Sequence, residues 1–201
     1  MNGFTLLRQA YEATEPGFDG HVSVPTLWDR ATGVVVSNTF AQITLDLATA
    51  FRAWARPDVD TYPVRLRPQI DALNERILVA VNHGVSVAAG RGEQADAARR
   101  SLLGTLEDLD RRLAGSRYLH GDTVTESDVR LWVTLVRYDV AANAGEAIGP
   151  RRLVDYPNLW PYARDLYQQP AFRESTDFAS FSRSEAPIAE WDAPHGRGPD
   201  A

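Results

Sequence analysis

Gly121-Asp122-Thr123-Val124-Thr125-Glu126-Ser127-Asp128 is the stretch on which the reading of the fold turns. Thr125 stands where a helix needs its N-cap. Its hydroxyl can accept from the amide of Asp128, and the Asp128 carboxylate can reach back to the Thr125 amide, an Asp version of the capping box. Val124 and Val129 flank the cap as its hydrophobic staple. The helix opened here carries Val129, Leu131, Trp132, Leu135 and Val136. It is apolar on more than one side, as expected of a buried central helix rather than a surface one.

Working backwards, Glu93 to Ala114 places Ala98, Leu102, Leu106, Leu109 and Leu113 along one helical face, with Gly115 just past the end. Pro68 to Ala89 does the same with Ile70, Leu73, Ile77, Val81 and Val85, and Gly90 and Gly92 end it. Before that, Pro57, Pro63 and Pro68 give residues 56–67 a linker composition. Upstream lie a helix from Phe4 to Thr14, a hairpin and a helix from about Thr39 to Trp54. The hairpin is two β-branched runs around the turn Arg30-Ala31-Thr32-Gly33, and the second helix carries Phe40, Ile43, Leu47 and Phe51 on one stripe. Forwards, Asp155-Tyr156-Pro157-Asn158 introduces a helix through Tyr167, and the Pro/Gly-rich tail from Pro187 reads as irregular chain. The expected architecture is mostly α: a small α/β domain at 1–55, a linker at 56–67, an all-α domain at 68–186 and a tail at 187–201.

The 201 residues hold 21 basic and 27 acidic side chains, a net charge of −6. That balance argues against nucleic acid as a partner. No apolar run is long enough to suggest a membrane span, and the first residues lack a secretory h-region, so a soluble, cytoplasmic protein is expected. Cysteine is absent, which removes thiol nucleophiles, thiolate metal sites and disulfides from these residues. Every basic residue other than histidine is arginine, so no lysine can form a Schiff base.

The arrangement resembles the glutathione transferases, in which a thioredoxin-like domain precedes a helical one. The pair Val24-Pro25 stands where that family keeps a cis-proline, and the box after Gly121-Asp122 matches its helical domain. Four stretches narrow the resemblance to the Xi class, the glutathionyl-hydroquinone reductases: VPTLWDRATGVVVSN, IDALNERILVAVNHGV, TLVRYD and DYPNLWPYARDLYQQP. Fold class is then a partial thioredoxin-like domain, hairpin plus helices, followed by a glutathione-transferase C-terminal domain.

Departures from the class shape the functional expectation. The class begins with a longer segment that carries a Cys-Pro-Trp-Ala motif, which these residues do not contain. Where the class holds glutathione with a Glu-Ser pair, Thr39 and Phe40 stand here, and Val24 offers only its backbone. Where it places pocket tyrosines, this chain has Ser86 and, near the C-terminus, Glu185 and Ala186. The resemblance together with these departures implies a small-molecule enzyme repurposed away from glutathione. It would act on an aromatic or polyketide-like ligand in a cavity between the domains, by cyclisation, isomerisation or dehydration. A non-catalytic binding or partner-stabilising protein, or a reductase with a misassigned start, is the alternative.

The candidate acid/base residues are His83 and Glu185, against the plainer readings of a helix-end histidine and a solvated tail carboxylate. Ser86, Arg137, Tyr138 and Asp139 are the candidate substrate contacts; for the last three, an internal Arg–Asp ion pair is the simpler role. His21, His83, His120 and His195 form no metal-binding spacing, so neither metal nor cofactor is expected. A strand over Val22–Leu27 with one open edge predicts either a homodimer or cover by the N-terminal helix.

Overall fold

The first helix, α1 (Leu7–Thr14), begins where the Gln9 side chain accepts from the amides of Thr5 at 2.8 Å and Leu6 at 2.9 Å. It buries Ala10 and Tyr11. The structure is a computed structural model that describes residues 3–56, 58–183 and 191–192. The chain divides into two compact units, Met1–Tyr62 and Pro63–Ala201.

In the first unit, β1 (Leu27–Asp29) and β2 (Val34–Ser37) pair antiparallel with Trp28 opposite Val35. The turn between them is closed by Asp29, whose carboxylate accepts from the Ala31 amide at 2.8 Å and the Thr32 hydroxyl at 2.6 Å. Gly33, at φ 70°, takes the left-handed position that a side chain would strain. The expected strand over Val22–Leu27 is corrected: it shortens to Leu27–Asp29, and residues 21–26 form an irregular approach with a cis Val24–Pro25 bond. Helix α1 latches onto both parts. Thr14 Oγ1 accepts from the Val35 amide at 2.8 Å, and Tyr11 Oη donates to the Ser23 carbonyl at 3.0 Å.

Next, α2 (Phe40–Thr49) gives way to a 3-10 turn at Arg52–Trp54. Of its expected stripe only Ile43 is buried; Phe40, Leu47, Phe51 and the following Trp54 are exposed. The periodicity identified the apolar face, of which Ile43 alone is buried and the larger side chains are partly exposed.

The second unit starts earlier than expected, with a 3-10 turn at Val64–Leu66 leading into α3 (Arg67–Arg76). Instead of one α-helix to Ala89, the chain widens into a π-helical segment, Ile77–His83, and narrows again as α4 (Gly84–Ala88). Ile77 and Val81 stay buried through this wider turn, and Val85 follows them into the core in α4. Gly84 permits the turn, because a Cβ there would lie 3.1 Å from the Val79 carbonyl oxygen.

Helix α5 (Glu93–Leu113) is entered through Gly92 at φ 93°. Glu93 and Asp96 sit in its first turn and Arg111 and Arg112 in its last, matching the helix dipole. Leu102, Leu106, Leu109 and Leu113 enter the core. Helix α6 (Glu126–Arg137) starts at the predicted capping box, with the Thr125 amide and hydroxyl each 2.7 Å from Asp128 Oδ2. Asp128 Oδ1 also accepts from the Leu119 amide at 3.0 Å and from Tyr162 Oη at 2.9 Å. A second π segment, Tyr138–Ala142, follows α6, and α7 (Leu159–Gln168), α8 (Pro170–Arg173) and α9 (Phe178–Phe181) complete the unit.

One part of the tail departs from the irregular chain expected. Trp191 is 6% exposed and lies among Trp132, Trp160, Tyr167 and Phe178, with its carbonyl accepting from Gln168 Nε2 at 3.2 Å. Asp192 pairs with Arg173.

Candidate functional site

A cleft of about 520 Å³ opens within the second unit, between α4 with its π segment and α6 with its own. Val85, Ala89, Val133, Ala141 and Ala142 make its apolar walls; Asn82, Ser86, Thr134, Arg137 and Arg183 supply polar groups. Both walls pass through a π segment, a feature that recurs at functional sites because the widened turn re-aims side chains. Asn82 ties the walls together. Its Nδ2 donates to Thr134 Oγ1 at 2.7 Å and to the Arg130 carbonyl at 3.0 Å. Arg130 itself is buried and paired with Glu126 at 3.1 Å, so this part of α6 is rigidly held.

Of the residues singled out from the sequence, Ser86 and Arg137 come together in this cleft. Ser86 is exposed to it and has no hydrogen-bond partner among the described residues. Arg137 donates to the Val133 carbonyl at 2.9 Å and lies over the Phe181 ring at 5.0 Å. The ion pair between Arg137 and Asp139 does not form. Residues two apart on a helix face different ways, and here α6 passes into its π segment between them. Asp139 turns inward and accepts from the Leu153 amide at 2.7 Å, and burial raises its pKa above the ordinary carboxylate value. Tyr138 is fully buried in the core, where desolvation raises its hydroxyl pKa, and that hydroxyl has no partner among the described residues. Neither Tyr138 nor Asp139 lines the cleft.

His83 ends the first π segment, exposed and outside the lining. Glu185, like Ala186 and His195, lies outside the described residues. His120 is half-buried with Nε2 3.0 Å from Ser127 Oγ. Burial, and then the nearby Arg112, lower its pKa. Sequence reasoning passed over Asn82, Thr134 and Arg183. A lone Asn closing the run Ile77-Leu78-Val79-Ala80-Val81 was the available signal for the first.

In the first unit, Val24 is 78% exposed beside the cis bond. Thr39 is the N-cap of α2 with no side-chain capping bond, and Phe40 begins the helix with its ring exposed. Among the described residues no group of three or more His, Asp and Glu gathers to hold a metal ion, and no helix is long and apolar enough to cross a membrane.

A hairpin unit followed by a helical unit with a capping box at the start of its central helix is a glutathione-transferase-like fold, and comparison with known proteins agrees. Residues 92–165 match the glutathione S-transferase C-terminal domain family. The glutathionyl-hydroquinone reductase YqjG of Escherichia coli is 36% identical over 209 residues, covering 96% of this chain and 64% of that protein. The reductase PcpF of Sphingobium chlorophenolicum is 37% identical over 161 residues, covering 79% of this chain and 51% of its own length. The glutathione-bound structure of YqjG superposes with a TM-score of 0.85 at 36% identity, over 95% of this chain and 68% of the other. A Xi-class enzyme from Natrialba magadii gives 0.86 at 30% identity, over 95% and 65%. The chain belongs to the Xi class of the glutathione transferase family. It spans about two thirds or less of the length of these relatives.

Proposed function

We propose that these residues form the ligand-holding part of a glutathionyl-hydroquinone-reductase-like protein, and that the cleft between α4 and α6 binds a small aromatic ring of the hydroquinone type. The observation that carries this reading is the cleft itself. Its volume of about 520 Å³ between apolar walls suffices for a one- or two-ring aromatic, and its few polar groups are ones that orient a phenolic oxygen. The names of the relatives point to the same substrate class.

Thiol exchange with a glutathionyl conjugate needs a thiolate that attacks the glutathione sulfur, and the sequence contains no cysteine. The 201-residue chain by itself is therefore proposed to bind such ligands without reducing their glutathionyl conjugates. Cyclisation, isomerisation or dehydration would need an acid/base pair. The described lining holds neither carboxylate nor imidazole, His83 is outside it, and Glu185 lies outside the described residues.

Isothermal titration with 2-naphthol, a redox-inert phenol, tests the proposal. Saturable binding with a Kd of about 10–100 μM is expected, lost on Ser86→Trp, which fills the cleft. A thiol-release assay on a glutathionyl-hydroquinone should show no turnover. Binding that survives Ser86→Trp, or measurable thiol release, overturns the reading.

A further inference from the structure

The charges around the cleft do not follow those of the rest of the chain. The molecule carries six more acidic than basic side chains. Yet the cleft lining includes Arg137 and Arg183 and no Asp or Glu. Many arginines elsewhere stand against carboxylates, such as Arg76 and Arg111 on Asp108, Arg117 on Asp165 at 2.7 Å, Arg130 on Glu126 and Arg151 on Glu107 at 3.2 Å, while Arg112 donates to the Leu119 carbonyl at 2.6 Å. The comparison groove beside α5, lined by Arg76, Arg100 and Arg111, contains its own Glu107 and Asp108. Arg137 and Arg183 have no such partner among the described residues.

The Arg137 side chain and the Arg183 backbone are also held in place. Arg137 is fixed by the Val133 carbonyl and by the Phe181 ring beneath it. Two residues past that ring, the Arg183 amide donates to the Val140 carbonyl at 2.9 Å, seating Arg183 beside the second π segment. One end of the guanidinium of Arg137 is spent on Val133, which leaves the rest of its fork for a ligand. The Ser86 hydroxyl lies in the same lining. A neutral ring filling this cleft would displace water from two guanidinium groups and return nothing to them, whereas an oxyanion restores those hydrogen bonds in charge-assisted form.

Resting on the cleft reading above, we infer that the aromatic ligand carries an anionic substituent, a carboxylate or sulfonate, gripped by Arg137 and Arg183. The test compares 2-naphthol with 2-naphthoate, which share the ring and differ in charge, on the 201-residue chain and on Arg137→Gln, Arg183→Gln and Arg100→Gln. The last removes an arginine of the other groove and controls for net charge. The naphthoate should bind about tenfold or more tightly than the naphthol. That preference should shrink in Arg183→Gln and Arg137→Gln, persist in Arg100→Gln, and fall as salt rises to about 0.5 M. Propionate, an anion without a ring, should bind far more weakly than naphthoate. Should Arg137→Gln fail to fold because Phe181 loses its partner, the exposed Arg183 decides the matter. Equal affinity for the two probes, or a preference unchanged in Arg183→Gln, overturns the anionic ligand while leaving a cleft that binds 2-naphthol. Failure of both probes to bind overturns the cleft reading and this inference together.

Discussion

In α5 the stripe Leu102, Leu106, Leu109 and Leu113 is sealed inside the helical unit, whereas in α2 Phe40, Leu47 and Phe51 stay partly exposed beside a Trp54 that is 80% exposed. Amphipathic spacing is equally legible in both helices. Each sealed leucine stabilises its unit by roughly 1.5–3 kcal/mol relative to exposure, and the exposed ring of Trp54 contributes almost nothing of the kind. An apolar stripe records that a face is suited to burial; only packing turns it into stability.

The contrast breaks most visibly at Asp128. Asp128→Ala strands the Leu119 and Thr125 amides and the Tyr162 hydroxyl inside the helical unit. It should cost about 4 kcal/mol, as each buried donor loses its acceptor. Urea denaturation followed by circular dichroism measures it, and a loss under about 1 kcal/mol would mean the network is not what holds α6 in place. Asp128→Asn, which keeps an acceptor oxygen, should lose clearly less.

A smaller effect is expected at His120, which bonds to Ser127 in the first turn of the same helix. Because its folded pKa is lowered, the folded chain takes up this proton later than the unfolded chain as pH falls. The stability associated with the neutral ring is therefore whole above the unfolded pKa of about 6.5 and is lost on acidification from there towards the folded value. Melting curves from about pH 7.5 to 5.5 should fall more steeply for the native chain than for His120→Gln. Parallel curves would remove His120 from the account.

The smallest effect sharpens the other side of the comparison. Trp54→Gln should change stability by no more than about 0.5 kcal/mol, since the ring has little contact to lose. A larger destabilisation would show that the α2 face is covered in solution.

The capping box was readable because its parts lie three residues apart and each has one geometric reason to be there. The α5 stripe was readable because its helix is regular over Glu93–Leu113. The π segments were not: a drift of about 40° per four residues blurs the periodicity without breaking it, so Pro68–Ala89 read as one helix. Ser86 and Arg137 could be nominated as pocket residues, but the Asn82 bond to Thr134 joins positions 52 apart, which no local pattern reports. Trp191 was invisible for the opposite reason. It is a single aromatic in a Pro/Gly-rich tail, with no neighbours in sequence to reveal the ring cluster it enters. The failed Arg137–Asp139 pair shows that adjacency along a helix is not contact across it.

The two wide turns also give this molecule a way to change that substitution does not offer. A π segment absorbs one more residue than an α turn while leaving the helix on either side in register. Loss of a residue at the exposed Val79 would tighten Ile77–His83 toward the ordinary helix and re-aim Asn82. The deeper faces of α3 and α5 would remain as they are. Single-codon deletions and insertions, usually the most damaging lesions in a helix, are here a means of reshaping the cleft, at the cost of repacking Ile77 and Val81.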